Sequence, residues 1–274
     1  MHEPDIRISA PAIYAENPVD RVSNRYSFVP TTELIKDFKA LGWDVNRVKQ
    51  QKSHVDPLHT KHLVVFRNPS MPMISGVIPE LLLVNSHDRT TSFKFMAGLF
   101  RSICLNGLVV SINLFESVQI RHIDYQFSDI QALVNQMLEN MPKLIESIHT
   151  MQNTMMTQVD KEEFAVRAVA ARFFEYVNRR NKAIDKETIE SAISIPELLI
   201  PIRKEDESDT VWAVYNRLQE KILKGGFKKI GTKDEIAKRV RPVTNIGLDI
   251  SVNQKLWEIA SHYTKIDSYK SLRD

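Results

Sequence analysis

The chain has 274 residues, 43% of them hydrophobic and 26% charged, a length and balance that can bury a core without staples and that fit an ordinary globular protein. Its one cysteine, Cys104, excludes an intramolecular disulfide framework and a cysteine zinc site. The formal net charge of +3 names no class of partner by itself.

The opening stretch, MHEPDIRISAPAIYAENP, lacks the basic and apolar regions of a secretory leader, and no run approaches the roughly 18 uninterrupted apolar residues of a membrane span. A cytoplasmic protein is expected. Pro4, Pro11 and Pro18 read as an extended arm. VPTTELIKDFKALGW then supplies an N-cap candidate, Thr31 or Thr32, an apolar face of Leu34, Ile35, Phe38 and Leu41, and Gly42 past the end, which together predict a helix. The period next shortens toward two. DVNRVKQQKS, KHLVVFRN (61–68), ELLLVNSH, residues 92–104 and ESVQIRHI predict strands, with a short helix or loop near Asn106 and Gly107.

From Ser128 the apolar spacing turns helical. Ile130, Leu133, Met137, Leu144, Ile148, Met151 and Met155 define a long amphipathic helix, which Pro142 is expected to kink or divide. Further helices are predicted from Asp160, after Asp185, over SDTVWAVYNRLQEKILKGG and over VNQKLWEIASHY. The methionines at helical spacing are expected in the core. The fold class is α+β: an antiparallel or mixed sheet with a leading helix in residues 1–126, then a helical half with a basic C-terminal segment in 127–274.

Charge is unevenly placed. Lys and Arg against Asp and Glu number 14 and 12 over residues 1–126, 8 and 11 over 127–199, and 15 and 11 over 200–274. Within the last part, residues 221–241 hold eight basic side chains, Lys221, Lys224, Lys228, Lys229, Lys233, Lys238, Arg239 and Arg241, against Asp234 and Glu235. That is the electrostatic footprint a polyanion meets.

Catalytic templates are sparse. No phosphate-binding glycine loop and no nucleophile elbow occurs, so no cofactor is expected and ATP hydrolysis is disfavoured. His54, His59 and His62 with Asp56 fit no usual zinc spacing and read as a solvated loop, so no metal is assigned. The polar group Asn85-Ser86-His87-Asp88 is good turn chemistry, and Asp88 is a candidate ion-pair partner for Arg101. It also places His87 and Asp88 at a strand end, near the polar residues Arg101, Asn106, Arg121 and His122. Lys94 and Arg101 lie among Phe93, Phe95 and Phe100, an interleaving of cations and rings that suits single strands.

The segments YSFVPTTELI, ELLLVNSHDRTTSFKFMAGLFRSICLNGLVVS, VQIRHI and TVWAVYNRLQEKI, in that order, resemble the phage and plasmid family catalogued as domain of unknown function 932. NSHD followed by R-x-x-C-x-N is the most specific part, with Arg89 and Thr90 standing where family patterns continue with Gly-Ser. The resemblance carries over to Asn85, Ser86, His87, Asp88, Arg101, Cys104, Asn106, Arg121 and His122, and implies a mobile genetic element as the setting. The order of elements is also loosely similar to phage single-strand annealing proteins.

The leading expectation is a non-enzymatic, oligomeric, ATP-independent protein that binds or anneals single-stranded DNA in recombination. Its phosphate contacts would be Lys94, Arg101, Arg121, His122, Lys228, Lys229, Lys238, Arg239 and Arg241. An inhibitor of a host defence system, acting by protein binding, is the alternative. A hydrolase or nuclease built on His87, Asp88 and His122 is the third reading.

Overall fold

The computed structural model describes residues 1–19, 28–53, 55–88, 94–101, 106–109, 118–119, 126–177, 186–229 and 239–264. The chain forms two compact units, Met1–Pro142 and Lys143–Asp274. It is α+β, as the periodicity predicts.

The first unit is built on an antiparallel sheet in which six strands are described: β1 (Asp44–Gln50), β2 (His62–Arg67), β3 (Val77–Asn85), β4 (Lys94–Arg101), β5 (Asn106–Val109) and β6 (Val118–Gln119). Their order is β1-β2-β3-β4-β5, and β6 also pairs with β4. Asn106 therefore opens a strand rather than a helix or loop. Pairing with Phe100 and Arg101 fixes Gly107 and Asn106 in the ladder, a non-local choice that a two-residue Asn-Gly signal does not carry.

The N-terminal stretch is not an extended arm. It forms α1 (Glu3–Ser9) and a 3₁₀ turn (Pro11–Tyr14), and buries Ala10, Ala12 and Ile13 completely. Pro4 and Pro11 sit in the first turn of their elements, where no amide hydrogen is required, so they start structure instead of breaking it, whereas Pro18 lies outside both. Helix α2 (Thr31–Ala40) follows and ends before Gly42, whose φ is +83°. Its Phe38 stacks on Phe66 of β2 at 4.2 Å and tilts against Phe95 of β4 at 5.4 Å, closing one sheet face. The opposite face, carrying Val65, Leu82 and Met96, is buried as well.

That second face encloses the one charge in VIPELLLVN. Glu80 is fully buried and accepts hydrogen bonds from Arg67 at 2.7 Å, Arg47 at 3.1 Å and Asn46 at 3.3 Å. A register shift between Val45 and Arg47 brings both Asn46 and Arg47 within reach. The Arg67 guanidinium also lies 4.4 Å from the centre of the Phe100 ring.

Helix α3 (Phe127–Asn153) runs unbroken through Pro142, so the proline does not divide it. Its stripe of Ile130, Val134, Met137, Met141, Leu144, Ile148 and Met151 is buried on both sides of that residue, which outweighs one lost backbone hydrogen bond. In the second unit, α4 (Gln158–Val177) contacts α5 (Lys186–Ala192), α6 (Ile195–Leu199), α7 (Val211–Lys224) and α8 (Ile246–Tyr263). Tyr215 joins the core between Trp212 and Trp257, at centroid distances of 5.8 and 5.9 Å. Among the described residues no helix is long and apolar enough to cross a membrane.

Candidate functional site

Two clusters answer to the residues singled out in the sequence. The first is the NSHD turn at the end of β3. The β2–β3 register sets His62 beside Asn85. The start of α2 brings Thr31 over them. Thr31 does not cap its own helix, whose N-cap is Pro30. Its hydroxyl instead meets His62 Nε2 at 2.8 Å, Asn85 Nδ2 at 3.0 Å and His87 Nε2 at 3.3 Å.

The protons in this knot can be assigned by counting. His62 Nδ1 lies 3.0 Å from the Thr60 carbonyl, which only accepts, so Nδ1 carries the hydrogen. Burial lowers the His62 pKa to about 4, against smaller raising effects of the Thr60 carbonyl and the Asp88 charge. The ring is therefore neutral, and its Nε2 accepts from the Thr31 hydroxyl. The two lone pairs of that hydroxyl then accept from the Asn85 amide and from the His87 Nε2 hydrogen.

The backbone ties the same point to two loops. The His87 N–H donates to the His59 carbonyl at 3.0 Å, and the His87 carbonyl accepts from Val19 at 3.4 Å. His59 is held in turn by Asp56, 2.7 Å from Nδ1, and by the Asn17 carbonyl, 3.0 Å from Nε2. Among the described residues, no group of three His, Cys, Asp or Glu side chains could hold a metal ion. His54 lies outside the described residues. Thr31, His62, Asn85, Ser86 and His87 are all fully buried. The knot joins the start of α2 to the start of β2 and the end of β3, with the His87 side chain fully buried.

The knot makes stability depend on pH. In the unfolded chain His62 takes up a proton as pH falls through its ordinary value near 6.5, whereas in the folded protein it stays neutral until about pH 4. Its contribution is therefore complete above pH 6.5 and is lost on descending toward 4, at about 1.4 kcal/mol per pH unit and about 3 kcal/mol in all. Unfolding free energies from urea titrations at pH 7, 6 and 5 should fall in the native protein, approaching that slope between pH 6 and 5, and be markedly flatter in His62→Gln.

Of the phosphate contacts expected in the sheet, the two described ones, Lys94 and Arg101, lie apart. Lys94 is half-buried at one end of β4. Arg101 is buried at the other end, opposite Val77 and Asn106. They are an odd number of positions apart, so they point to opposite faces, roughly 23 Å from each other along the strand. Arg121, His122 and Lys238 lie outside the described residues.

The second cluster is in the helical unit. Gly225 and Gly226, with φ of +72° and +89°, stop α7 and turn the chain away from it. Lys228 then bridges Arg239 in an antiparallel pair, and Lys229 bridges Ile193. The Val240 N–H donates to the Phe227 carbonyl at 2.9 Å, outside the Lys228–Arg239 pair. That makes the pair the non-hydrogen-bonded kind, with α-carbons about 4.5 Å apart and side chains closest together.

Of the eight basic residues predicted as a footprint, three make local side-chain bonds among the described residues, Arg239 through one from Nη1 to the Gly226 carbonyl at 3.1 Å. Lys221 donates to the carbonyls of Glu197 and Ile200, and Lys224 pairs with Glu220 at 2.8 Å. Burial pushes the Glu220 carboxyl up, but hydrogen bonds from Arg203 and Lys224 overcome it and hold the pKa at about 2. Lys228, Lys229, Arg239 and Arg241 are exposed, and none of these side chains forms an ion pair with a carboxylate among the described residues. Beside them the Lys229 ammonium lies 5.6 Å from the centre of the half-buried Phe173 ring.

Sequence reasoning missed the roles of Thr31, Phe173 and Arg172. Arg172 projects from α4, and its guanidinium donates to the carbonyls of Ile222 and Arg241. The one available signal was an arginine among apolar residues in FAVRAVAARFF, which demands a buried acceptor.

A family model, Domain of unknown function (DUF932), matches residues 18–257. The curated proteins UPF0380 protein YafZ and UPF0380 protein YfjQ of Escherichia coli (strain K12) are each 29% identical over 254 residues, which cover 91% of this chain and 86% of theirs. No solved structure matches the chain. With NSHD and R-x-x-C-x-N inside a match that spans most of its length, the chain belongs to the DUF932 family.

Proposed function

We propose that this protein binds single-stranded nucleic acid, without ATP and without catalysis, through the cationic ladder of residues 227–229 and 239–241. One observation carries the reading: Lys228 and Arg239 face each other across the closest kind of strand pair, both exposed and with neither side chain in an ion pair among the described residues, the Glu197 carboxylate bonding the Lys228 backbone N–H at 3.3 Å and not its ammonium. Like charges placed opposite one another destabilise a ladder. An anion seated between them converts that cost into binding; Arg241, two positions from Arg239, extends the positive charge on that face, and Lys229 adds charge on the other, beside Phe173. Repeated cations suit a repeated anion, which is what a phosphate backbone supplies. The Phe173 ring beside Lys229 favours a single strand, whose unpaired bases can stack on an aromatic face.

The test is a fluorescence-anisotropy titration of labelled oligo(dT) with the whole protein. Four phosphate contacts on a single strand give a salt slope of about −2.8, so affinity should fall about 50-fold between about 50 and 200 mM salt. A protein that leaves the oligonucleotide unbound at the lower salt does not have this function.

A further inference from the structure

The ladder is mounted on the end of α7 by an arrangement that the charges alone do not need. The Gly226 N–H donates to the Val240 carbonyl at 2.8 Å, and the Val243 N–H to the Leu223 carbonyl at 2.8 Å. The segment that returns at residue 239 therefore crosses the helix end at backbone contact. Only glycine permits this at position 225: a β-carbon there would lie 2.3 Å from the Val240 carbonyl oxygen and 2.9 Å from the Arg241 carbonyl. The positive φ of Gly225 adds strain for any larger residue.

Arg172 completes the mount from α4. One of its terminal nitrogens holds the Ile222 carbonyl, in the last turn of α7, and the other holds the Arg241 carbonyl in the returning segment. One planar guanidinium thus fixes the spacing between the helix end and the segment bearing Arg239 and Arg241. Arg172 is buried and has both of these nitrogens engaged, so it is not itself placed to meet a phosphate.

We infer that Arg172 and Gly225 are positioning residues: together they hold residues 239–241 against α7, so that Arg239 and Arg241 share one anion site with Lys228. The inference rests on the nucleic-acid reading above and adds what organises the site. Lysine at 172 would keep the charge but reach only one of the two carbonyls. Alanine at 225 would keep every charge and displace the returning backbone.

Two readouts on Gly225→Ala, Arg172→Met and Arg172→Lys test it. The first, independent of any ligand, is hydrogen exchange at the amides of Gly226, Val240 and Val243. Protection should fall at least about tenfold in Gly225→Ala and Arg172→Met, less in Arg172→Lys, while amides in the middle of α8 keep theirs. The second is oligo(dT) binding. Losing Arg239 and Arg241 from the site removes two phosphate contacts and should reduce the salt slope by about 1.4.

Unchanged protection at the three amides in Gly225→Ala overturns the inference, whether or not Arg172→Met folds. Lost protection with an unchanged salt slope also overturns it, because the mount would then be structural only. Failure of the wild-type protein to bind oligo(dT) overturns the nucleic-acid reading instead, and leaves the mount to be judged by exchange.

Discussion

Glu80→Ala is expected to destabilise the first unit by about 3 kcal/mol, the lower end of what breaking a buried ion pair costs. The carboxylate is fully buried and accepts from three donors, so its loss strands Asn46 and leaves Arg47 and Arg67 facing each other without an anion. The cost stays at the lower end because the two arginines keep 33% and 25% of their side-chain surface and can turn partly to water. Glu80→Gln should cost less, since its amide oxygen still accepts one donor. Removing the whole group, as Arg47→Met with Arg67→Met and Glu80→Leu, should be milder than Glu80→Ala, because no uncompensated charge remains. Urea denaturation of the three variants checks the order. Glu80→Ala more stable than the triple variant would mean that the carboxylate is not what offsets the arginines.

Thr31→Val has a comparable expected effect by a different route. The substitution keeps shape and removes one oxygen, but that oxygen serves His62 Nε2, Asn85 Nδ2 and His87 Nε2 together. All three residues are fully buried, so water does not replace it. A stranded buried polar group costs about 1–3 kcal/mol, and allowing for local relaxation the sum is about 3 kcal/mol. Thr31→Ser keeps the hydroxyl and should cost about 0.8 kcal/mol for the lost methyl group. The gap between the two variants is the diagnostic quantity. Equal unfolding free energies would show that the hydroxyl is not the centre of the knot.

These two groups also show what can and cannot be read from a sequence. Helix α7 was legible because Thr210, its apolar stripe and Gly225 lie within one local window, and Thr210 does accept the Ala213 amide hydrogen at 3.3 Å. The strands β1 to β4 were legible as short extended runs between turn residues, β2 and β3 as apolar runs buried on both faces. The N-terminal helix was not, because proline signals a break and a helix start with the same letter, and only the burial of Ala10, Ala12 and Ile13 decides between them. Thr31 read as a cap, and its engagement with His62 and Asn85 depends on a register set by strands far along the chain.

The NSHD turn was legible as a turn, yet its partners Thr31 and His62 were not. Glu80 carried a faint signal as a lone charge in an apolar strand, but its partners come from two other strands and a bulge. The basic stretch was legible as composition. Which of its members are tied to local acceptors follows from geometry, since Lys221 reaches carbonyls, Lys224 reaches Glu220 and Arg239 reaches the Gly226 carbonyl.

The central claim, that four exposed cations of the second unit meet a phosphate backbone, is tested most directly by comparing salt slopes. The wild-type protein and the variant Lys228→Ala/Lys229→Ala/Arg239→Ala/Arg241→Ala, matched by circular dichroism, would be titrated with oligo(dT) over a range of salt concentrations. The wild type should show a slope of about −2.8 and the variant a slope near zero with little residual binding. Equal slopes in the two proteins would contradict the account.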